Sequence, residues 1–328
     1  MTAVLLIAVK VLLFLALIDV VVTLLGVVER RVAGAARGFG APRGGVLLPI
    51  ADFLKLLAKE NVEPEAVDRP LFVIAPALAL APALLAAAVL PLGGSLPLFG
   101  GVDPQIADLD AGLLVAMAML VLSLLGVVYG SFASNNKYSL LGGLRAVSQL
   151  IAYLVVYVFA VAAVVMRSGS LRLDAIVAEQ AGGWNVLYQP IGFAIFVIAT
   201  LAASHRRPFD LSTSGSELVS GYATEYGSLK LALFRATDAV LMLVNASLIT
   251  LLFLGGWLVP GVSLDGGAAS LLQLAVLAVK IALVLFFFLA ARWALPRLRH
   301  DQLMRMCWKV LVPLAILDLV IAGIVLGL

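Results

Sequence analysis

The sequence predicts an all-α integral membrane protein. About eight transmembrane helices are expected, with amphipathic interfacial helices in the first and third cytoplasmic loops. Three observations carry this reading. Of the 328 residues, 63% are hydrophobic and only 12% charged, about half the charged share of a soluble domain. Apolar stretches of roughly 20 residues, the length that crosses the hydrocarbon layer, recur eight times. The Lys and Arg residues are segregated: 18 of the 22 lie in or flank the loops after spans one, three, five and seven. Basic loops stay on the cytoplasmic side, so both termini are expected outside, across the cell inner (plasma) membrane. No linker divides the chain, and residues 1–328 read as a single polytopic membrane domain.

The spans are expected near 3–28, 71–91, 111–131, 146–167, 188–204, 237–258, 271–294 and 309–327. The first is apolar without a small-residue cleavage site, so it reads as a retained span and not a signal peptide. The fifth is crowded at its start by Pro190 and Gly192 and closed by His205-Arg206-Arg207. One cysteine, Cys307, excludes a disulfide framework, and two scattered histidines, His205 and His300, are too few for a metal site. Any redox centre is therefore expected in a partner. The net charge of +3 follows from topology, with no nucleic-acid partner implied.

Three connecting stretches carry the polar chemistry. The first loop, about forty residues, is long enough to expect a role. In it Ile50, Phe53, Leu54 and Leu57 recur at i, i+3, i+4 and i+7, with Asp52, Lys55 and Lys59 on another face, the pattern of a helix lying on the membrane. A glycine-rich run with Arg37 and Arg43 precedes it. This loop reads either as an interfacial anchor or as the lip of a ligand cavity. Ser134 to Arg145, polar and bearing Gly142 and Gly143, sits between two spans and must lie at an interface or against protein, because lipid offers it no hydrogen-bond partners. The third loop gathers Asp210, Glu217, Thr224 and Glu225 beside Arg206, Arg207 and Lys230. A helix after Ser214 would put Glu217 and Thr224 on one face with Glu225 beside them, along one watered path; capping by Asp210 and pairing with arginines account for the same residues. Lys10, Asp19, Asp238, Lys280 and Asp318 fall within spans, where ionisable groups are costly and point to function. Asp19 and Lys280 are the hardest of these to explain by snorkelling or pairing.

Glu29-Arg30-Arg31, the run Pro49 to Glu60, Ser134 to Arg145, Arg206-Arg207-Pro208-Phe209-Asp210-Leu211 and Ser216 to Tyr226 occur in that order. Together they resemble subunit 1 (the H subunit) of respiratory complex I and its relatives among membrane-bound, energy-converting hydrogenases. The resemblance implies a heel subunit that anchors a hydrophilic redox arm, whose proteins carry iron–sulfur clusters, to other membrane-arm subunits and to lipid. It implies quinone as substrate at a shared chamber, with Arg37, Arg43, Asp52 and Lys55 at its mouth. Asp210, Glu217, Glu225 and Asp238 are the implied proton-coupling residues. Arg206, Arg207, Lys137 and Arg145 are the implied docking residues. The chain alone is not expected to be a self-sufficient catalyst.

Departures from that family are as specific as the matches. Leu154 follows Tyr153 where the family usually has glutamate, Ala203 replaces another acid, His205 an amide, and Thr213 and Gly215 two further acids. None of Leu154, Ala203 or Gly215 can hold a proton, and Thr213 can only relay through its hydroxyl. Three readings follow: a quinone-reducing, ion-coupled subunit; the same role in a hydrogenase-related complex; or an anchor whose coupling is lost. Glu217 and Glu225, as surviving acids of the third loop, are expected to carry what coupling remains.

Overall fold

The computed structural model describes residues 2–36, 38, 47–93, 105–213, 217–259 and 269–327. These form α1 (Thr2–Ala36), α2 (Leu47–Ala58), α3 (Arg69–Val89), α4 (Gly112–Ala133), α5 (Lys137–Ser168), α6 (Leu173–Glu179), α7 (Asn185–Tyr188), α8 (Pro190–Ala203), α9 (Ser228–Phe253), α10 (Ala269–Ala294), α11 (His300–Met306) and α12 (Val312–Leu326). A π-helical stretch, Cys307–Leu311, joins α11 to α12. Among the described residues seven helices are long and apolar enough to cross a membrane, α11 and α12 counting as one. The chain is an all-α, multi-pass membrane protein.

α9 is the central post, with most of its apolar window inside the bundle, whereas α1 shows most of its surface outward. Large side chains face outward where lipid or other protein can cover them, and small ones let helices close up inside. Along α3, Ala75, Ala79, Ala83 and Ala86 are fully buried. Opposite them in α4, a Cβ at Gly126 would overlap the Ala79 backbone. The Ser123 hydroxyl adds a 2.7 Å hydrogen bond to the Ala79 carbonyl. In the absence of a hydrophobic drive between lipid-embedded helices, this close approach is what holds them.

α8 lies within 188–204 as expected, yet its 14 residues rise only about 21 Å, short of the roughly 30 Å hydrocarbon core. The broken backbone before it is satisfied by amide side chains. Gln180 donates to Leu251 O (2.8 Å) and accepts from Gly255 N (2.9 Å). Asn185 donates to Leu252 O and Gln189 to Ala163 O. Irregular backbone at membrane depth is tolerated only when such partners exist. Asp318, buried on α12, accepts the Gly192 N–H at 3.1 Å. A Cβ at Gly192 would strike that carboxylate.

Lys280 finds a structural explanation of the same kind. Its ammonium donates to the carbonyls of Leu254, Gly256 and Leu258 at 2.7, 2.8 and 2.7 Å and lies over the Trp184 ring. It gathers the carbonyls of the turn that follows α9, giving partners to irregular backbone that lipid would leave unmatched.

The basic loops show two differences from expectation. α5 begins at Lys137, nine residues before the expected 146, so the polar run from Ser134 enters a helix that is longer than its apolar part. Asn136 caps it, accepting the Tyr138 N–H. That run packs against the chain itself: Gly142 is pressed on the backbone of Ser212 and Tyr222, and Ser139 donates to Tyr222 O. The third loop is not the expected amphipathic helix. Its described part is built of turns with a single 3-10 turn at Gly221–Ala223. Here Val219 and Gly221 adopt positive φ, and the close contact of Gly221 with Ser212 O replaces helical pairing. Gln149, fully buried on α5, braces the start of this loop through Ala202 O and Phe209 O.

Candidate functional site

The first loop does form its amphipathic helix, and α2 has its Ile50, Phe53, Leu54 and Leu57 side chains exposed. Pro49 fits against Gly26 of α1, and the Ser228 hydroxyl holds the far end through Lys59 O at 2.7 Å. This places α2 across the ends of α1 and α9. Beneath it lies a cavity of about 560 Å³ whose wall is shared by α1, α2, the third loop, α9 and α10. Ligand pockets typically occupy about 300–1,000 Å³.

Five carboxylates (Asp19, Glu29, Asp52, Asp210, Asp238) and five guanidinium groups (Arg30, Arg206, Arg207, Arg235, Arg292) line it. Arg30 pairs with Asp52 at 2.5 Å, tying α1 to α2. Glu29 accepts from Arg206 at 3.1 Å and also pairs with Arg292, so one carboxylate joins α1, the third loop and α10. Thr213 donates to Asp210. Tyr222 is buried facing Asp238 and Asp210, and burial, reinforced by those carboxylates, pushes its hydroxyl well above the usual phenol range. His205, buried at the end of α8 with a positive φ, borders the cavity. Burial pushes its imidazole down to about 4, against the opposing pull of Asp210. The ring is therefore neutral among charges. Chemically, the cavity offers water-accessible carboxylates for proton uptake, with guanidinium groups and a phenol to hydrogen-bond an oxygen-bearing guest.

The cavity thus brings together Asp52, Arg206, Arg207, Asp210 and Asp238 of the sequence-derived candidates. Lys55 is exposed on α2 away from its lining. Glu217 sits outside it, paired with Arg145 at 2.5 Å; that hydrogen bond holds its carboxyl below the usual range. Glu225 is also outside, accepting from Asn136 at 2.5 Å. Without the expected helix, Glu217, Thr224 and Glu225 do not share a face. Lys137 lines a separate groove of about 540 Å³ with Asp68 and Asn136. Arg37, Arg43 and Gly215 lie outside the described residues.

Sequence reasoning misses Glu29, Arg30, Arg235 and Arg292 as site residues. The first two stand in the Glu29-Arg30-Arg31 motif, and Arg292 is a lone arginine in the last turns of an apolar span, a signal that could have found it. Asp19, the intramembrane acid hardest to explain from sequence, lines the cavity.

The sequence matches the family described as NADH dehydrogenase over residues 9–323. The H subunit of the NADH-quinone oxidoreductase of Flavobacterium psychrophilum is 38% identical over 309 residues, covering 91% of this chain and 90% of that protein. The corresponding H subunit of Anoxybacillus flavithermus is 42% identical over 303 residues, covering 90% and 87%. The chain belongs to the family of complex I subunit 1. The resemblance carried by Glu29 to Tyr226 thus extends over nearly the whole length. Thr213 lines the charged cavity, while Leu154 and Ala203 line a second, smaller one that His205 shares.

Proposed function

We propose that this chain is the membrane heel of a complex I-like NADH-quinone oxidoreductase, forming the membrane side of a quinone chamber and coupling quinone reduction to ion translocation. The charged cavity under α2 carries the proposal. It has the volume for a quinone headgroup, and its ion pairs join the surface helix to α1, and α1 in turn to the third loop and α10. Electrons come from iron–sulfur clusters in hydrophilic partner subunits docked on the basic loops, where Arg206, Arg207, Lys137 and Arg145 lie. Other membrane-arm subunits and lipid cover the apolar flanks. The basic loops face the cytoplasm and both termini the outside of the inner membrane.

Two-electron reduction gives the quinone two negative charges that two protons cancel, and a side chain that supplies one of those protons is left one unit more negative. Asp210 and Asp238 share the cavity with Arg206 and Arg235, so a charge change there redistributes ion pairing across α1, the third loop, α9 and α10 at once. Glu217 and Glu225, held by Arg145 and Asn136, stand outside this cavity, and their part in coupling runs through the third loop that also carries Asp210. The support for this reading is the family, the cavity's volume and its charge.

A photoreactive quinone analogue applied to the assembled complex in membranes is the test. Labelling within 47–58 and 205–213, displaced by excess quinone, is the expected result. Asp210→Asn is expected to lower quinone-dependent turnover by about tenfold or more. Displaceable labelling confined to other subunits, with Asp210→Asn fully active, would leave the anchor reading in its place.

A further inference from the structure

Beside the charged cavity, on the other side of His205, a small cavity has about 20 Å³ of room for a water-sized guest. Space of about 10–15 Å³ by this measure holds one water, provided polar partners face it. Its wall is mostly apolar, with Leu124, Leu150 and Leu241 contributing, but four polar side chains reach it from three elements: Tyr153 and Tyr157 of α5, His205 after α8 and Asn245 of α9. All four are more than nine-tenths buried. The Tyr157 hydroxyl, His205 Nε2 and Asn245 Oδ1 meet no hydrogen-bond partner among the described residues. A buried polar group left unmatched costs about 1–3 kcal/mol, so three around one cavity point to a shared guest.

The direction of each bond is fixed by its neighbours. The Ser204 hydroxyl gives its hydrogen to Thr200 O at 2.8 Å, so it can only accept from Asn245, whose Nδ2 lies 3.2 Å away. Asn245 Oδ1 is thereby turned away from Ser204 as a free acceptor. A neutral imidazole has one acceptor nitrogen, and a phenol in its neutral form donates.

We propose that the cavity between Tyr157, His205 and Asn245 binds one water molecule, which accepts from Tyr157 and donates to His205 Nε2 and Asn245 Oδ1. This gives a partner to each of the three atoms that otherwise lack one. It also sets the tautomer, with the remaining imidazole proton on Nδ1. Because His205 borders both cavities, this water extends the hydrogen-bonded network of the charged cavity across the ring into the bundle, between α5 and α9. Its use in proton movement rests on the coupling function proposed above; its existence does not.

The experiment is a cryo-electron microscopy map of the purified, assembled complex at a resolution that shows buried waters, paired with the same map for Tyr157→Phe. One density within hydrogen-bond distance of all three atoms, lost in the variant, is the expected result. An empty cavity in a map that shows other buried waters overturns the proposal, as does a density that persists unchanged in Tyr157→Phe. In liposomes, Tyr157→Phe and His205→Leu are expected to slow quinone-driven proton uptake several-fold; uptake at the wild-type rate in both removes the water from the coupling route. A wild-type complex that reduces no quinone would defeat the functional reading, while the maps still decide the water site.

Discussion

His205 holds a neutral ring at the border of a cavity rich in carboxylates and guanidinium groups, and its burial has a consequence for stability. With the folded value at about 4 and an ordinary histidine near 6.5, the unfolded chain binds a proton over that interval that the folded chain refuses. Stability is therefore fully present above about pH 6.5 and falls as pH drops toward 4, by on the order of 3 kcal/mol from this group. His205→Gln keeps a hydrogen-bonding side chain and abolishes the titration. Thermal midpoints of the two proteins in detergent, compared from pH 7 to 4.5, are expected to converge as pH falls; parallel curves would contradict the assignment. The sequence marks His205 as a replacement, but not its neutrality, which comes from burial by α5, α8 and α9 that no local pattern encodes.

At the scale of elements, helix contact in this bundle is set by small residues as much as by apolar ones. Gly126 has no room for any side chain against Ala79, so Gly126→Leu must push α4 from α3. Overpacking costs typically about 1–3 kcal/mol, and a lower thermal midpoint with poorer yield is the expected outcome. An unchanged midpoint would show that the contact yields freely. Seven of the eight expected stretches are long apolar helices among the described residues, legible because hydropathy over about 20 residues is a strong signal; the fifth forms only the short α8. The early start of α5 was not legible, because its first turns leave the apolar zone and are held by Asn136 and by contact with the third loop. The amphipathic helix expected after Ser214 failed for a related reason. Its side-chain spacing suited a helix, while Gly221 and Val219 take positive φ to fit tertiary contacts at Ser212.

Across the whole molecule, the site depends on residues far apart in sequence. Glu29 and Arg206 are 177 positions apart, and Arg292 approaches the same carboxylate from α10. Composition and motif order were enough to point to these loops, but only folding reveals which charges share one space, and this is why Glu217 and Glu225 looked as eligible as Asp210. Glu29 is the tie that joins the sparsely buried α1 to the third loop and α10. Glu29→Gln leaves Arg206 and Arg292 facing each other without their shared counter-charge. A cysteine at Thr23→Cys, which lines the cavity, is expected to react several-fold faster with a soluble maleimide in the Glu29→Gln background; the native Cys307 is buried. Equal rates would show that α1 is held by packing alone.

The short α8 has a bearing on how the chain enters its membrane. Too brief to cross by itself, and preceded by backbone whose partners are Leu251, Leu252 and Ala163 on two other helices, it gains a low-energy place only once α5 and α9 stand beside it. α9 is made later by the ribosome. The hydrogen bonds of the segment around residues 180–203 are therefore completed only after the sixth apolar stretch has been synthesised, so this part of the chain reaches its native pairing out of sequence order.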